Sequence, residues 1–327
     1  MTPPLITLEE HWYAEAVINS FDNSLKGAIK EWPGVLEKLL DAGEMRLRDM
    51  DKGKVSLQVI SHCAADDPSP EVCRAGNDQL ASEIRKSEQT AKRFAAFANL
   101  PMVNPEAAAV ELERTVKELG FVGALVDHKT RKGFCDGPEY DVLWLKAQEL
   151  DVPIYLHPAW PTEQMIEDYY GGNYSLEAAA AMGSSMWGWH SELALHILRL
   201  YAAGVFDKFP KLKIVIGHLG EMIPFMLERI KRQDRRMGCE RTFQQVWDEN
   251  IWITTSGVWS LDPMRCILGN TDIKHIMYSV DYPFTSNEGG LKWFEELEES
   301  GLLSKEQLDL IAYKNAEALL KIKAPME

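Results

Sequence analysis

Eight short apolar runs rich in β-branched residues, with helix-like stretches between them, constrain the fold more than any other feature of this sequence. They are Leu5 to Glu9, Val55 to Ser61, Ala95 to Leu100, Val122 to Val126, Pro153 to His157, Lys213 to His218, Ile251 to Thr255 and Ile276 to Asp281. Strands that alternate with helices return to the sheet by crossovers and pair in parallel. About eight such units in 327 residues predict an α/β architecture, a (β/α)8 TIM barrel, built as one domain over residues 1–327. The covering helices are legible too: Ala108, Leu112, Val116 and Leu119 recur at helical spacing in Pro105 to Leu119, and Leu195, Leu198 and Tyr201 do so in Ser191 to Ala203. Residues 162–190 break the alternation with Tyr169, Tyr170, a Gly-Gly pair, an alanine run and the motif MWGWH. They predict an insertion after the fifth strand, on the barrel face where substrate covers are built. A last amphipathic helix, Ser304 to Leu320, is expected to close the barrel.

Charge narrows the partners. The formal net charge is −15, and no Lys/Arg cluster offsets it locally, which disfavours nucleic acid and anionic membranes. The basic stretch Arg229 to Arg236 is interleaved with Asp234 and reads as a helix end that is either a solvated face or a subunit contact. Five cysteines without CxxC spacing read as reduced thiols. The opening MTPPLITLEEHW has no basic-then-apolar leader pattern, and no run approaches the roughly 18 apolar residues of a membrane span, so a cytoplasmic protein is expected.

The ionisable residues fall at revealing places. Glu9 and His11 lie at the end of the first predicted strand, His157 ends the fifth, His218 the sixth and Asp281 the eighth. In a parallel barrel all these ends open on one face, so the five groups converge despite their distance in sequence. Singly, a strand-end histidine is more often a hydrogen-bonded structural residue, and a strand-end aspartate more often caps the next helix. Jointly they make the carboxylate and imidazole set of a divalent metal site.

The motifs LEEHW at 8–12, YLHP at 155–158, IGHLGE at 216–221, TTSG at 254–257 and SVDYPF at 279–284 resemble the amidohydrolase-2 group of the amidohydrolase superfamily, over nearly the whole chain. Hydrolases of that group, and the semialdehyde decarboxylases related to them, usually begin with His-x-His. Glu9-x-His11 instead resembles the benzoate decarboxylases of 2,6- or 2,3-dihydroxybenzoate and salicylate, γ-resorcylate decarboxylase among them. The resemblance implies a reversible, non-oxidative decarboxylase of an ortho-hydroxylated aromatic acid, with one divalent ion per chain (Zn²⁺, Mg²⁺ or Mn²⁺) and no organic cofactor. It implies Glu9, His157 and Asp281 as metal ligands, with His11 a weaker ligand or a group behind them. It makes Asp281 the acid that protonates C1, and His218 with Glu221 its neighbours in the chemistry. Glu221 also reads as an N-cap or first-turn acid of the helix Ile223 to Ile230, a role compatible with that one. Phe21, Trp189 and Phe284, with Tyr169 and Trp187, are candidate walls for an aromatic ring. Asp127 stands where the family pattern has Asn; as a candidate substrate contact it would repel an anionic substituent unless paired with His128 or Lys129 or protonated. A lactone or amide hydrolase on the same barrel is the alternative activity, and a barrel that only binds or assembles is a third reading. A homodimer or homotetramer is expected, with apolar surface on the insertion offering the contact.

Overall fold

Among the described residues eight strands pair in parallel, β1 (Leu5–Trp12), β2 (Val55–His62), β3 (Phe94–Ala96), β4 (Ala124–Asp127), β5 (Ile154–His157), β6 (Ile214–Ile216), β7 (Ile251–Thr254) and β8 (Ile276–Met277), beside a short antiparallel pair, Lys129–Thr130 with Gly133–Phe134. The computed structural model describes residues 2–20, 34–63 and 67–325. The strands form two ladders, β1–β2–β3 and β8–β7–β6–β5–β4. Parallel bridges at Ala98 with Ala124 and at Glu10 with Tyr282 join the ladders at both edges. The second join is reinforced by the His11 amide donating to the Tyr282 carbonyl at 2.7 Å. The circuit of the TIM barrel is thereby complete.

Two apolar layers hold this circuit. Ile6, Leu8, Leu57, Val59, Phe97, Leu125, Tyr155, Val215 and Met277 form one buried cluster, to which the chain's last helix, Asn315–Leu320, adds Ala316, Leu319 and Leu320. This is the filled barrel interior, with the C-terminal helix packed into it. A larger cluster joins the other strand faces to the helices, with Ile60, Ile154, Ile214, Ile253 and Ile276 facing Leu80, Leu112, Trp144, Ile197 and Phe294.

A register shift in β1 decides what the barrel mouth contains. Thr7 is opposite Gln58 but Glu10 is opposite Ile60, so three residues of β1 span two of β2. One extra residue inverts the alternation of side chains beyond it. Ile6 and Leu8 lie in the interior cluster, whereas Glu9 and His11, rather than Glu10, face the interior above them. Glu10 instead turns outward into a buried polar pocket. There it accepts from Ser279 Oγ and the Val280 amide at 3.1 Å, and from the Tyr282 amide and Gln58 Nε2 at 3.3 Å.

Several element boundaries differ from the sequence expectation, each for a local reason. Strand β1 runs on through Trp12, so Glu9 and His11 are inside it rather than at its end. Strand β6 stops at Ile216 and β8 at Met277, and His218 and Asp281 sit in the loops beyond. These loops leave the ladder because five successive residues, His218 to Met222, and Asp281 too, have left-handed backbone. The helix Pro105–Arg114 ends in a π-turn, Thr115–Leu119, and the closing segment contains another, Leu310–Lys314. The insertion holds the turns Glu163–Met165 and Ile166–Tyr170 and the helix Leu176–Gly183, and the next helix starts at Gly188 rather than Ser191. Tyr169 and Trp187 are 77% and 55% exposed, so they do not wall a ring as expected. All five cysteines are free thiols. Among the described residues no helix is long and apolar enough to cross a membrane.

Candidate active site

Two groups of donor side chains stand side by side at the C-terminal mouth of the barrel. The first is Glu9 and His11 on β1 and His157 at the end of β5, with ligand-capable atoms all within 4.8 Å of one another. His157 Nε2 lies 3.4 Å from Glu9 Oε1, and the His11 and His157 rings meet edge to face at 4.7 Å. Asp281 Oδ1 is 3.1 Å from His11 Nε2, and Asp127 Oδ1 is 3.9 Å from His157 Nδ1.

What lies behind Glu9 fixes it. Its Oε2 accepts from the Tyr155 and Ser256 hydroxyls, which are tied together through Thr254, 2.7 Å from Tyr155 and 2.6 Å from Ser256. Gly217 leaves the room for this arrangement, because a Cβ there would come within 2.6 Å of Glu9 Oε2. The other face of the group is bare. Glu9 Oε1 and His157 Nδ1 are buried without a hydrogen-bond partner among the described residues, and His11 Nε2 has the Asp281 carboxyl at 3.1 Å. Buried polar atoms are rarely left so. Burial pushes the His11 and His157 imidazoles down to about 4 and about 3, leaving neutral rings with free lone pairs. Burial would raise Glu9, but the surrounding imidazoles, His218 foremost, and the Ser256 hydroxyl hold it below its ordinary value. Neutral imidazoles and an ionised carboxylate converging on one spot fit a divalent cation.

The second group is His190, His218 and Glu221. Glu221 is 1% exposed, and each of its oxygens takes one imidazole: His218 Nδ1 to Oε1 and His190 Nδ1 to Oε2, both at 2.6 Å. Burial opposes the charge on His218, but Glu221 and Glu9 outweigh it and raise this imidazole to about 10. The same pairing, against burial, takes Glu221 down to about 2. The result is an imidazolium–carboxylate pair facing the first group, with His218 Nε2 4.0 Å from Glu9 Oε1. Its loop is strained, since a left-handed conformation costs roughly 1–3 kcal/mol at a residue other than glycine. Glu221 precedes the helix Ile223–Lys231 and spends both its oxygens on the histidines, so it is not a helix-capping acid. Between the groups lies Asp281, whose carboxyl is pushed well above the ordinary range by burial and by Glu9.

Of the residues singled out from sequence, Glu9, His11, His157, His218, Glu221 and Asp281 come together here. Asp127 borders them. Its expected partners are engaged elsewhere: His128 Nε2 lies 3.3 Å from Glu192 Oε2, and Lys129 pairs with the same oxygen. Phe284 packs 5.6 Å from the His11 ring. Trp189 packs edge to face on Trp160 at 5.2 Å and points its indole N–H at His190. Phe21 lies outside the described residues. Sequence reasoning missed His190, which hid inside an aromatic motif. It also missed roles for Tyr155, Thr254 and Ser256, which lie within the YLHP and TTSG motifs but carry hydroxyls rather than the ionisable groups that marked the other site residues.

The Amidohydrolase family model matches residues 42–322, and the chain belongs to that family. It is 54% identical to Decarboxylase orsB of Emericella nidulans, covering 98% of each chain. It is 33% identical to the gamma-resorcylate decarboxylase of Polaromonas sp. strain JS666, over 97% of this chain and 98% of that one. A crystal structure of the dihydroxybenzoic acid decarboxylase from the same bacterium, with bound manganese and the inhibitor 2-nitroresorcinol, superposes with a TM-score of 0.85 at 32% identity. It covers 98% of this chain and 97% of that one. Within the amidohydrolase family this chain is therefore an enzyme of the carboxy-lyase class, a decarboxylase.

Proposed function

We propose that the protein is a metal-dependent, non-oxidative decarboxylase of an aromatic acid carrying a hydroxyl ortho to its carboxylate. The observation that carries this reading is the placement of the Asp281 carboxyl, 3.1 Å from His11 Nε2 and pushed by burial and by Glu9 towards holding its proton, at the rim of a cluster of metal-ligating side chains. Glu9, His11 and His157, with Asp281 beside them, are the residues to hold a divalent ion such as Zn²⁺, Mg²⁺ or Mn²⁺. When bound, the ion supplies positive charge for the substrate's carboxylate and neighbouring phenolate.

The chain's own groups do the remaining work. Neutral His11 and His157 donate lone pairs without adding charge, and Glu9, anchored by Tyr155 and Ser256, offers its free Oε1. Asp281 delivers a proton to the ring carbon that bears the carboxylate. The carbon–carboxylate bond then breaks, its electron pair returns to the ring, and carbon dioxide leaves. Asp281, left as a carboxylate, is reprotonated before the next turnover. His218, held as an imidazolium by Glu221, presents a cationic N–H on the face where an anionic carboxylate enters. Asp127, Trp189 and Phe284 border the ring's place, and Asp127 favours a substituent that donates a hydrogen bond over an anionic one.

The test is a panel of salicylate, 2,3-, 2,4- and 2,6-dihydroxybenzoate and methylated resorcylates, offered to metal-loaded protein in D₂O. Carbon dioxide release with deuterium at the vacated carbon is expected for ortho-hydroxylated acids and not for benzoate. Lactone or amide hydrolysis, with no carbon dioxide from any acid, would overturn the proposal.

A further inference from the structure

Glu221 has one more partner than orienting His218 requires. An imidazole is aligned by a single carboxylate oxygen, and Oε1 does this; the buried Oε2 would then need a donor of its own. His190 is that donor, at 2.6 Å, with its ring 4.5 Å from that of His218 at an interplanar angle of 65°.

The far side of His190 is equally determined. Its Nε2 is 2.9 Å from Trp189 Nε1 and 3.0 Å from the Ser185 carbonyl. A neutral ring accepts the indole N–H at Nε2 and carries its proton on Nδ1. A charged ring donates Nε2–H to Ser185 and still carries a proton on Nδ1. In either form Nδ1–H faces Glu221, so the hydrogen bond does not depend on which is present. The backbone around it is close-packed: a Cβ on Gly188 would fall 2.3 Å from the Gly183 carbonyl and 2.6 Å from the Tyr170 hydroxyl, which sets the first turn of this helix, and His190 with it, against the insertion.

We propose that His190 is a positioning residue for decarboxylation: with Trp189 behind it, it holds the second oxygen of Glu221 and thereby fixes the Glu221–His218 pair against the substrate site. This rests on the decarboxylase reading, but the geometry can be tested apart from it. His190→Ala removes the donor. His190→Asn restores an N–H near the Nδ1 position.

In metal-loaded enzyme turning over an ortho-hydroxylated acid, His190→Ala is expected to lower kcat by about 10- to 100-fold, the usual loss when a group orienting an active-site residue is removed. KM and metal content should change little, and His190→Asn should recover most of the loss. In parallel, ¹⁵N-histidine NMR should show a ring N–H of His218, assigned by its loss in His218→Gln. It should be protected from exchange in the parent and in His190→Asn but not in His190→Ala. Unchanged kcat together with an unchanged protected N–H in His190→Ala overturns the proposal and leaves the decarboxylase reading standing. An enzyme inert on every acid defeats the decarboxylase reading instead, and the NMR comparison still decides whether His190 fixes the pair.

Discussion

The two triads at the barrel mouth are built from the same kinds of side chain, each a glutamate with two histidines inside 4.8 Å, yet they stand in opposite chemical states. In Glu9–His11–His157 burial holds the imidazoles neutral, and Glu9 Oε1 and His157 Nδ1 lack hydrogen-bond partners among the described residues. In Glu221–His218–His190 both carboxylate oxygens are hydrogen-bonded and His218 is charged. The difference lies in what stands behind the carboxylate. Hydroxyls occupy one oxygen of Glu9 and leave the other bare, whereas imidazole N–H groups take both oxygens of Glu221. Open lone pairs suit a cation, and a filled pair suits holding a proton in place.

Substitutions can break this contrast. The largest effect is expected at Asp281, which belongs to neither triad and borders both: Asp281→Asn should cut kcat by about 10²–10⁴-fold with the fold intact by circular dichroism. Near-normal turnover in that variant would remove the proposed acid. Next, His157→Ala and Glu221→Gln should separate the triads. The first should deplete bound metal, read by elemental analysis of the purified protein, and the second should leave metal in place while lowering kcat about 10- to 100-fold. Equal metal loss in both would mean that the triads are not distinct. Gly217→Ala should act more mildly, pushing Glu9 Oε2 off its hydroxyls and weakening metal affinity through a residue that is not itself a ligand.

The smallest effect concerns stability. Near the site, His62 is 2% exposed, has no hydrogen-bond partner among the described residues, and is pushed by burial down to about 3. Below the ordinary histidine value of 6.5 the unfolded chain takes up a proton that the folded one refuses. This contribution is therefore complete above pH 6.5 and drains as pH falls towards 3, by roughly 1.4 kcal/mol per unit for a single proton. Melting of metal-free protein between pH 6 and about 4 should flatten in His62→Phe relative to the parent, and an unchanged slope would place the acid sensitivity elsewhere.

Much of this was legible in the sequence because a parallel barrel turns strand-end residues far apart in the chain into neighbours. The β-branched runs are enough to bring Glu9, His157, His218 and Asp281 to one face. Other features follow from local geometry that no residue pattern announces. The extra residue in β1 between Thr7 and Glu10 could not be seen in LITLEEHW, where simple alternation from Ile6 and Leu8 would aim Glu10 inward. Asp281 reaches the site from a left-handed loop because Glu10 collects Ser279, Val280 and Tyr282 around itself. His190 was hidden for a different reason. Its neighbours Trp187 and Trp189 dominate the motif, and only the fold of the insertion shows that one ring faces solvent while the histidine beside the other faces Glu221.

The central claim, that the bare triad holds a divalent ion for decarboxylation, is tested most directly by following carbon dioxide release from 2,6-dihydroxybenzoate or a methylated resorcylate through one cycle of chelation and manganese reloading, with metal content measured at each stage. The account predicts that release disappears with the metal and returns with it. Undiminished release from protein stripped of metal would contradict it.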